Sequence, residues 1–229
     1  MKQICTAIFI FLFSGYAYST IEHKPAIIAP LASKSLLLDI ARISATKLVA
    51  VGEYGHILTS SDGENWQQAK VPVQATLTRV YFINHQLGWA VGHDATILHS
   101  KDGGDSWHIQ QYKPELERPL FDVLFKNEND GVAIGAYGQF FRTANGGKTW
   151  QVEFHSELLI QDDIDFLNEL KAEDEEAYLD ERASILPHFN RLFVAGRTTY
   201  LVGELGLIAK SNDFGKTWQR YDEIYQGSF

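Results

Sequence analysis

The sequence predicts an all-β fold: a β-propeller of four-stranded antiparallel blades that carries an acidic helical insertion. Three observations predict it, namely a repeat of about forty residues, a turn motif that closes each repeat, and apolar runs without helical spacing. Four segments carry the repeat. The first runs from Val51-Gly52 to Asp62-Gly63-Glu64-Asn65-Trp66, and the second from Val91-Gly92 to Asp102-Gly103-Gly104-Asp105-Ser106-Trp107. The third runs from Ile134-Gly135 to Asn145-Gly146-Gly147-Lys148-Thr149-Trp150, and the fourth from Val202-Gly203 to Asp213-Phe214-Gly215-Lys216-Thr217-Trp218. The closing tryptophans lie 41, 43 and 68 residues apart, so the last interval holds about 26 additional residues.

Each unit reads as four short strands. A β-rich apolar run, residues 77–83 or 120–125, is followed by Gly88-Trp89-Ala90-Val91-Gly92 or its equivalent. Next comes Thr96-Ile97-Leu98-His99, and a last strand begins at the closing tryptophan. Four strands per forty residues, separated by turn residues, make one propeller blade. The closing motif is the Asp box, Ser/Thr-x-Asp-x-Gly-x-Thr/Ser-Trp. Its aspartate accepts hydrogen bonds from turn amides, its glycine takes a positive φ, and its hydroxyl pins the turn. Asp62, Asp102 and Asp213 are therefore read as turn caps, as is Asn145 in the third box, with Gly104, Gly147 and Gly215 supplying the turn backbone. Trp66, Trp107, Trp150 and Trp218 are all expected to be buried.

At the front, Lys2 precedes the apolar run from Ile4 to Phe13, and Ala17 and Ser19 are small residues at a cleavage position. Residues 1–19 read as a signal peptide and residues 20–229 as the propeller, in a periplasmic or otherwise exported location with no stable membrane insertion after cleavage. Cys5, the only cysteine, lies in the leader, so the mature domain has no disulfide.

Residues 156–187 interrupt the repeat. They hold eleven acids against Lys171 and Arg182, a balance equal to the whole chain's net charge of -9. Ile160, Ile164, Leu167 and Lys171 fall at helical spacing, which predicts two short amphipathic helices with a break near Lys171 to Asp174. As a link between blades the insertion belongs on the face opposite the Asp boxes, capping the channel mouth. That face also carries the turns between second and third strands: Glu53, Tyr54, His93, Asp94, Tyr137 and Glu204 form a rim available to a partner. The negative charge and the absence of a basic stripe argue against nucleic acid.

The segment Gly88-Trp89-Ala90-Val91-Gly92 with Ile97-Leu98-His99-Ser100-Lys101-Asp102-Gly103-Gly104-Asp105-Ser106-Trp107 resembles the BNR/Asp-box repeats of the photosystem II stability/assembly factor family. Pro187-His188-Phe189-Asn190-Arg191 and Tyr225-Gln226-Gly227-Ser228-Phe229 resemble its bacterial branch. The resemblance implies a seven-bladed, non-catalytic propeller that assists assembly or stability of a membrane-associated protein complex, with a protein partner and no cofactor. The chain itself supplies about four to five units of about forty residues. A partial ring is thus expected, an arc of four blades plus the start of a fifth, with residues 31–43 and 224–229 as ends unable to complete one; a complete smaller propeller is the alternative.

The rival reading is a sialidase-like or other glycoside hydrolase, or a glycan-binding propeller, since such proteins also use Asp boxes. It needs a flanking pair of carboxyl groups or an arginine cluster. Glu53, Asp94 and Glu204 share the rim, while Arg79, Arg118, Arg142 and Arg197 are scattered one per blade. No catalytic or metal-binding set emerges: His93 and His99 lie in separate elements, and His99 aligns with Thr59, Arg142 and Lys210, which predicts an exposed strand position.

Overall fold

The computed structural model describes residues 23–221 together with Gly227 and Ser228. The expected signal peptide and most of the 224–229 end lie outside the described residues.

Four sheets of four antiparallel strands follow one another along the chain. Blade 1 comprises β1 (Leu37–Arg42), β2 (Leu48–Gly52), β3 (Ile57–Ser60) and β4 (Gln67–Gln68). Blade 2 comprises β5 (Leu77–Phe82), β6 (Gly88–Gly92), β7 (Thr96–Ser100) and β8 (His108–Gln111). Blade 3 comprises β9 (Leu120–Phe125), β10 (Gly131–Gly135), β11 (Phe140–Thr143) and β12 (Gln151–Val152). The insertion forms α1 (Gln161–Glu173) and α2 (Glu175–Arg182), and blade 4 comprises β13 (Phe189–Ala195), β14 (Thr198–Gly203), β15 (Ile208–Ser211) and β16 (Gln219–Arg220). Residues 31–43, expected as a loose end, include β1, the inner strand that completes blade 1.

Inner strand packs on inner strand, β1 on β5, β5 on β9 and β9 on β13, and no comparable packing joins β13 to β1 among the described residues. The blades thus form an open arc. Each junction has its own apolar core: Val49, Val51 and Ile57 meet Leu77, Val80 and Trp107 between blades 1 and 2. Trp89, Val91 and Ile97 meet Leu120, Val123 and Phe141 between blades 2 and 3. Every residue of β6 and β10 is buried, because these strands are covered on both faces; that is why their sequences are continuous apolar runs rather than alternating ones. At the ends of the arc Leu38, Ile40 and Phe193 stay exposed.

One glycine per blade is dictated by close approach. A Cβ on Gly52, Gly92, Gly135 or Gly203 would lie 2.0 to 2.3 Å from the carbonyl oxygen of Leu36, Thr76, Pro119 or His188 respectively, the residue that leads into the same blade's inner strand. The Val-Gly or Ile-Gly pair of the repeat is the sequence trace of that contact.

The Asp boxes close each blade. In the second, Ser106 N–H and Oγ donate to Asp102 at 2.9 and 2.5 Å, and Gly104 N–H donates to Ser100 Oγ at 2.8 Å. Asp213 holds Thr217 in the same way, and Asn145 accepts from Thr149 N–H at 3.0 Å while its amide donates to Thr149 Oγ1. Asp62 in the shorter first box takes Asn65 N–H and Nδ2 instead. These hydrogen bonds, from the Asn65 amide side chain first, hold the Asp62 carboxyl well below the usual range. For Asp213 burial opposes the charge, but the Thr217 and Ser211 hydroxyls outweigh it and again lower the pKa.

The box tryptophans differ from the expectation of uniform burial. Trp107 and Trp218 are buried, whereas Trp66 and Trp150 are half-buried. Trp107 joins the core shared with Val49 of the preceding blade, and Trp150 lies edge to face with Phe125 of its own blade and donates to Gln110 Oε1 of blade 2. Trp66 belongs to blade 1 and has no preceding blade among the described residues to cover it.

The two helices of the insertion meet at Asp174, whose carboxylate caps α2 through Glu176 and Ala177 N–H. Leu158, Leu159, Leu167 and Leu186 join the core between blades 3 and 4. At the rim side, Arg118 donates to the Ala183 carbonyl from the link entering blade 3. The turn before α1 packs on β16, and α2 lies beside Arg118 and the Tyr137 turn.

Candidate functional site

The turns between second and third strands share a backbone that the sequence does not advertise. Each places two consecutive residues at positive φ: Tyr54 and Gly55, Asp94 and Ala95, Tyr137 and Gly138, Leu205 and Gly206. That is the type I′ geometry, which suits the twist of a hairpin and prefers Asn, Asp or Gly at its first position. Here three of the four first positions carry large apolar side chains in a conformation that costs such residues about 1–3 kcal/mol. Those side chains are not repaid by burial, since Tyr54, Tyr137 and Leu205 are 63%, 46% and 68% exposed.

The expected rim residues are placed as follows. Glu53 accepts Leu36 N–H at 2.9 Å, which ties its carboxylate to the entry of β1. His93 projects from the blade 2 turn and is exposed. Asp94 acts on the Tyr112 hydroxyl, whose pKa is raised by burial first and by Asp94 second. Tyr137 meets the edge of His188 at 4.6 Å and lies under the Arg118 guanidinium at 5.2 Å, and His188 Nδ1 sits 3.3 Å from Glu204. Tyr137 and Glu204 are thereby brought together through His188. Glu53, Asp94 and Glu204 each have a different partner, and no hydrogen bond or shared cation pairs one with another. Beside Tyr137, a cavity of about 270 Å³ opens between blade 3 and α2, walled by Phe141, Phe154 and Leu179 with Arg118 and Arg182 at its polar side. Among the described residues no group of three His, Cys, Asp or Glu side chains could hold a metal ion, and no helix is long and apolar enough to cross a membrane.

A charged ladder along the inner strands escaped the sequence reading. β1, β5, β9 and β13 each bulge by one residue, at Leu38, Thr78, Phe121 and Asn190, and the next residue is charged: Asp39, Arg79, Asp122, Arg191. A bulge re-aims the side chain that follows it. Arg79 Nη1 bridges both oxygens of Asp39 at 3.0 Å while its Nε donates to Asp122 at 2.9 Å. Asp39 also accepts Val80 N–H at 2.9 Å, and Asp122 repeats that clamp one step on with Leu192 N–H at 2.8 Å and Arg191 at 3.7 Å. The signal was present as apolar-x-charged at the start of each inner strand, with the sign alternating. Of the four arginines read as scattered, Arg79 belongs to this ladder; Arg142 instead binds Glu153 and the carbonyls of Phe214 and Gly215.

His99 also departs from its expected exposure. It pairs across the strands with Trp89 and stacks on it at 4.8 Å, while Trp89 stacks on Phe125 at 3.5 Å. Burial, followed by the charges of Lys101 and His108, pushes the His99 pKa down to about 4.

Known proteins resemble the chain over part of its length. The profile described as "Photosynthesis system II assembly factor YCF48" matches residues 58–115, from β3 of blade 1 through blade 2. Those residues are similar to the repeat of a photosystem II assembly factor-like family. The photosystem II assembly protein Ycf48 of Synechococcus sp. (strain JA-3-3Ab) is 38% identical over 81 residues, 34% of this chain and 20% of that protein. A solved structure titled "YCF48 bound to D1 peptide" superposes with a TM-score of 0.58 at 18% identity, covering 90% of this chain and 60% of that one. A GH74 enzyme of Niastella koreensis superposes with a TM-score of 0.56 at 13% identity over 80% of this chain and 30% of that enzyme. At those identities the two superpositions establish a shared propeller architecture. The chain spans 20% of the length of the Synechococcus protein and 60% of the solved YCF48 chain.

Proposed function

We propose that this chain is an exported, non-catalytic assembly, stability or scaffolding factor for a membrane-associated protein complex, and that it engages a protein partner through the turn rim. The observation that carries the reading is the trio Tyr54, Tyr137 and Leu205, held outward at positive φ with their apolar surface in solvent. Strain that folding alone does not need marks a surface kept for contact. The assembly proteins among its relatives support the class of role, and the D1 peptide bound by a YCF48 protein supports a polypeptide partner.

Replacing Tyr54, Tyr137 and Leu205 by Asn tests this. Asparagine suits the left-handed turn, so the triple variant should keep or gain stability by several tenths of a kcal/mol. It should also lose the partner that the wild type retains from source-cell membranes. A triple variant that captures the same partner as well as wild type refutes the rim as the docking surface. The glycosidase alternative requires two cooperating carboxylates, whereas Glu53, Asp94 and Glu204 are each committed elsewhere. Sialosides and β-glycosides should remain uncleaved; turnover abolished by Glu53→Gln or Glu204→Gln would overturn the non-catalytic reading.

A further inference from the structure

On the Asp-box face, opposite the rim, each blade junction presents a set of four equivalent sequence positions. Three positions come from one blade: the middle of its third strand, the residue before the box aspartate, and the residue after the box tryptophan. The fourth comes from the next blade's box. At the junction of blades 1 and 2 these are Thr59, Ser61, Gln67 and Asp105, and Asp105 is paired with Lys47 at 2.7 Å. Between blades 3 and 4 they are Arg142, Ala144, Gln151 and Lys216, with Arg142 neutralised by Glu153 at 2.7 Å. At the junction of blades 2 and 3 all four are nitrogen bases: His99, Lys101, His108 and Lys148.

Those four side chains line one cavity of about 380 Å³, together with Ile109, Gln110 and Gly147, and no carboxylate is among them. Among the described residues neither Lys101 nor Lys148 is ion-paired, unlike Lys47 and Arg142 at the flanking junctions. The walls are fixed: Gln110 Nε2 donates to the Gly146 carbonyl at 2.7 Å, joining blade 2 to the third box. A Cβ on Gly147 would strike Gln110 Oε1 at 1.8 Å. His99 is held by its stack on Trp89, and its Nε2 is buried without a protein partner. In a chain of net charge -9, four convergent bases with no acid among them are a local reversal of sign.

We propose that the groove between blades 2 and 3 on the Asp-box face binds a tetrahedral oxyanion, a phosphate or sulfate group, through Lys101, His108 and Lys148, with His99 as the buried donor of the set. Lysine and imidazole N–H groups lining one cavity suit such an anion better than a planar carboxylate, for which a fork of Arg donors is the usual match. The group can belong to a small free anion or to a phospholipid headgroup, two sources with the same recognition chemistry.

The experiment uses the full chain and heteronuclear NMR. Titration with inorganic phosphate should shift the amides of Lys101, His108 and Lys148 saturably, and Lys101→Gln or Lys148→Gln should each weaken binding by about tenfold, the loss of one charge-assisted contact. Lys47→Gln, at the 1–2 junction, should leave it unchanged. In sulfate, which stays dianionic in acid, the His99 titration midpoint should rise from about 4, a response that a purely structural histidine would not give. Flotation with phosphatidylglycerol vesicles separates the sources: binding that both lysine substitutions remove assigns a lipid headgroup, and no flotation beside saturable phosphate binding assigns a free anion. Shifts that never saturate, or that persist undiminished in Lys101→Gln and Lys148→Gln, overturn the site. So does vesicle binding without saturable phosphate binding.

Discussion

Asp122 offers the most exacting test of how the blades are held together. Its side chain is 2% exposed and receives Arg79 Nε at 2.9 Å, Leu192 N–H at 2.8 Å and its own successor Val123 N–H at 2.8 Å. Burial pushes its pKa up, while Arg79, the Leu192 amide and Arg191 pull it down. Removing one partner of a buried ion pair costs about 3–5 kcal/mol when the other charge is stranded. Arg79 is not wholly stranded, because Asp39 still holds its Nη1, but Leu192 N–H loses its acceptor, a cost of about 1–3 kcal/mol. We expect Asp122→Ala to destabilise by about 3 kcal/mol. Asp122→Asn, which keeps the volume and one acceptor oxygen, should cost about 2 kcal/mol. Asp39→Asn, at a carboxylate 17% exposed, should cost about 1 kcal/mol. Urea unfolding followed by tryptophan fluorescence measures all three, and the Asp122 losses should change little on adding salt because the pair is shielded from it. A loss below about 0.5 kcal/mol for Asp122→Asn, or a larger loss at Asp39 than at Asp122, would refute the view that the ladder ties blade to blade.

Three further outcomes follow from the packing and the ionisable groups. Because the His99 pKa is lowered to about 4 in the fold and is about 6.5 in the unfolded chain, the unfolded state binds more protons between those values; stability should rise with pH across that window, and His99→Gln should flatten the slope. Asp213 is shifted in the same direction, so its contribution is likewise present above the unfolded value of about 3.9 and is lost as pH falls toward the lower folded value. Amide exchange in acid should loosen the fourth box while the third, built on Asn145, keeps its protection. Trp107→Ala should cost about 3–5 kcal/mol and half-exposed Trp66→Ala markedly less, measured by the same urea unfolding; equal losses would contradict the view that Trp107 is covered by the blade before it.

Much of the architecture was legible in the chain because one unit is written four times. The Asp boxes, the strand order and the helical break at Asp174 all follow from local rules of turn chemistry and periodicity. What escaped depends on neighbours that periodicity does not see. His99 shares its column with Thr59, Arg142 and Lys210, yet only His99 lies across from a tryptophan; their cross-strand partners are Val49, Val132 and Tyr200. Trp66 closes a box like Trp107 but is less buried, because Trp107 is covered by the blade before it and Trp66 has no preceding blade among the described residues. The ladder was hidden because a charged residue two places into an apolar strand reads as solvent-facing until a bulge turns it inward. At the rim, Tyr-Gly and Leu-Gly gave no conventional signal for type I′ turns, so the left-handed tyrosines emerged only from the backbone.

The alternation along the inner strands also imposes a rule of parity. Asp39, Arg79, Asp122 and Arg191 behave like spins that prefer an opposite neighbour, and Arg79 and Asp122 are each satisfied by the blade on either side. Whatever surface meets β13 is asked by Arg191 for a negative group, and whatever meets β1 is asked by Asp39 for a positive one. A closed ring can honour that demand at every step only with an even number of blades. An odd ring is frustrated at one junction, where a neutral residue, a solvent-filled gap or a foreign side chain must take the place of the missing opposite, and that junction is where the ring is easiest to open.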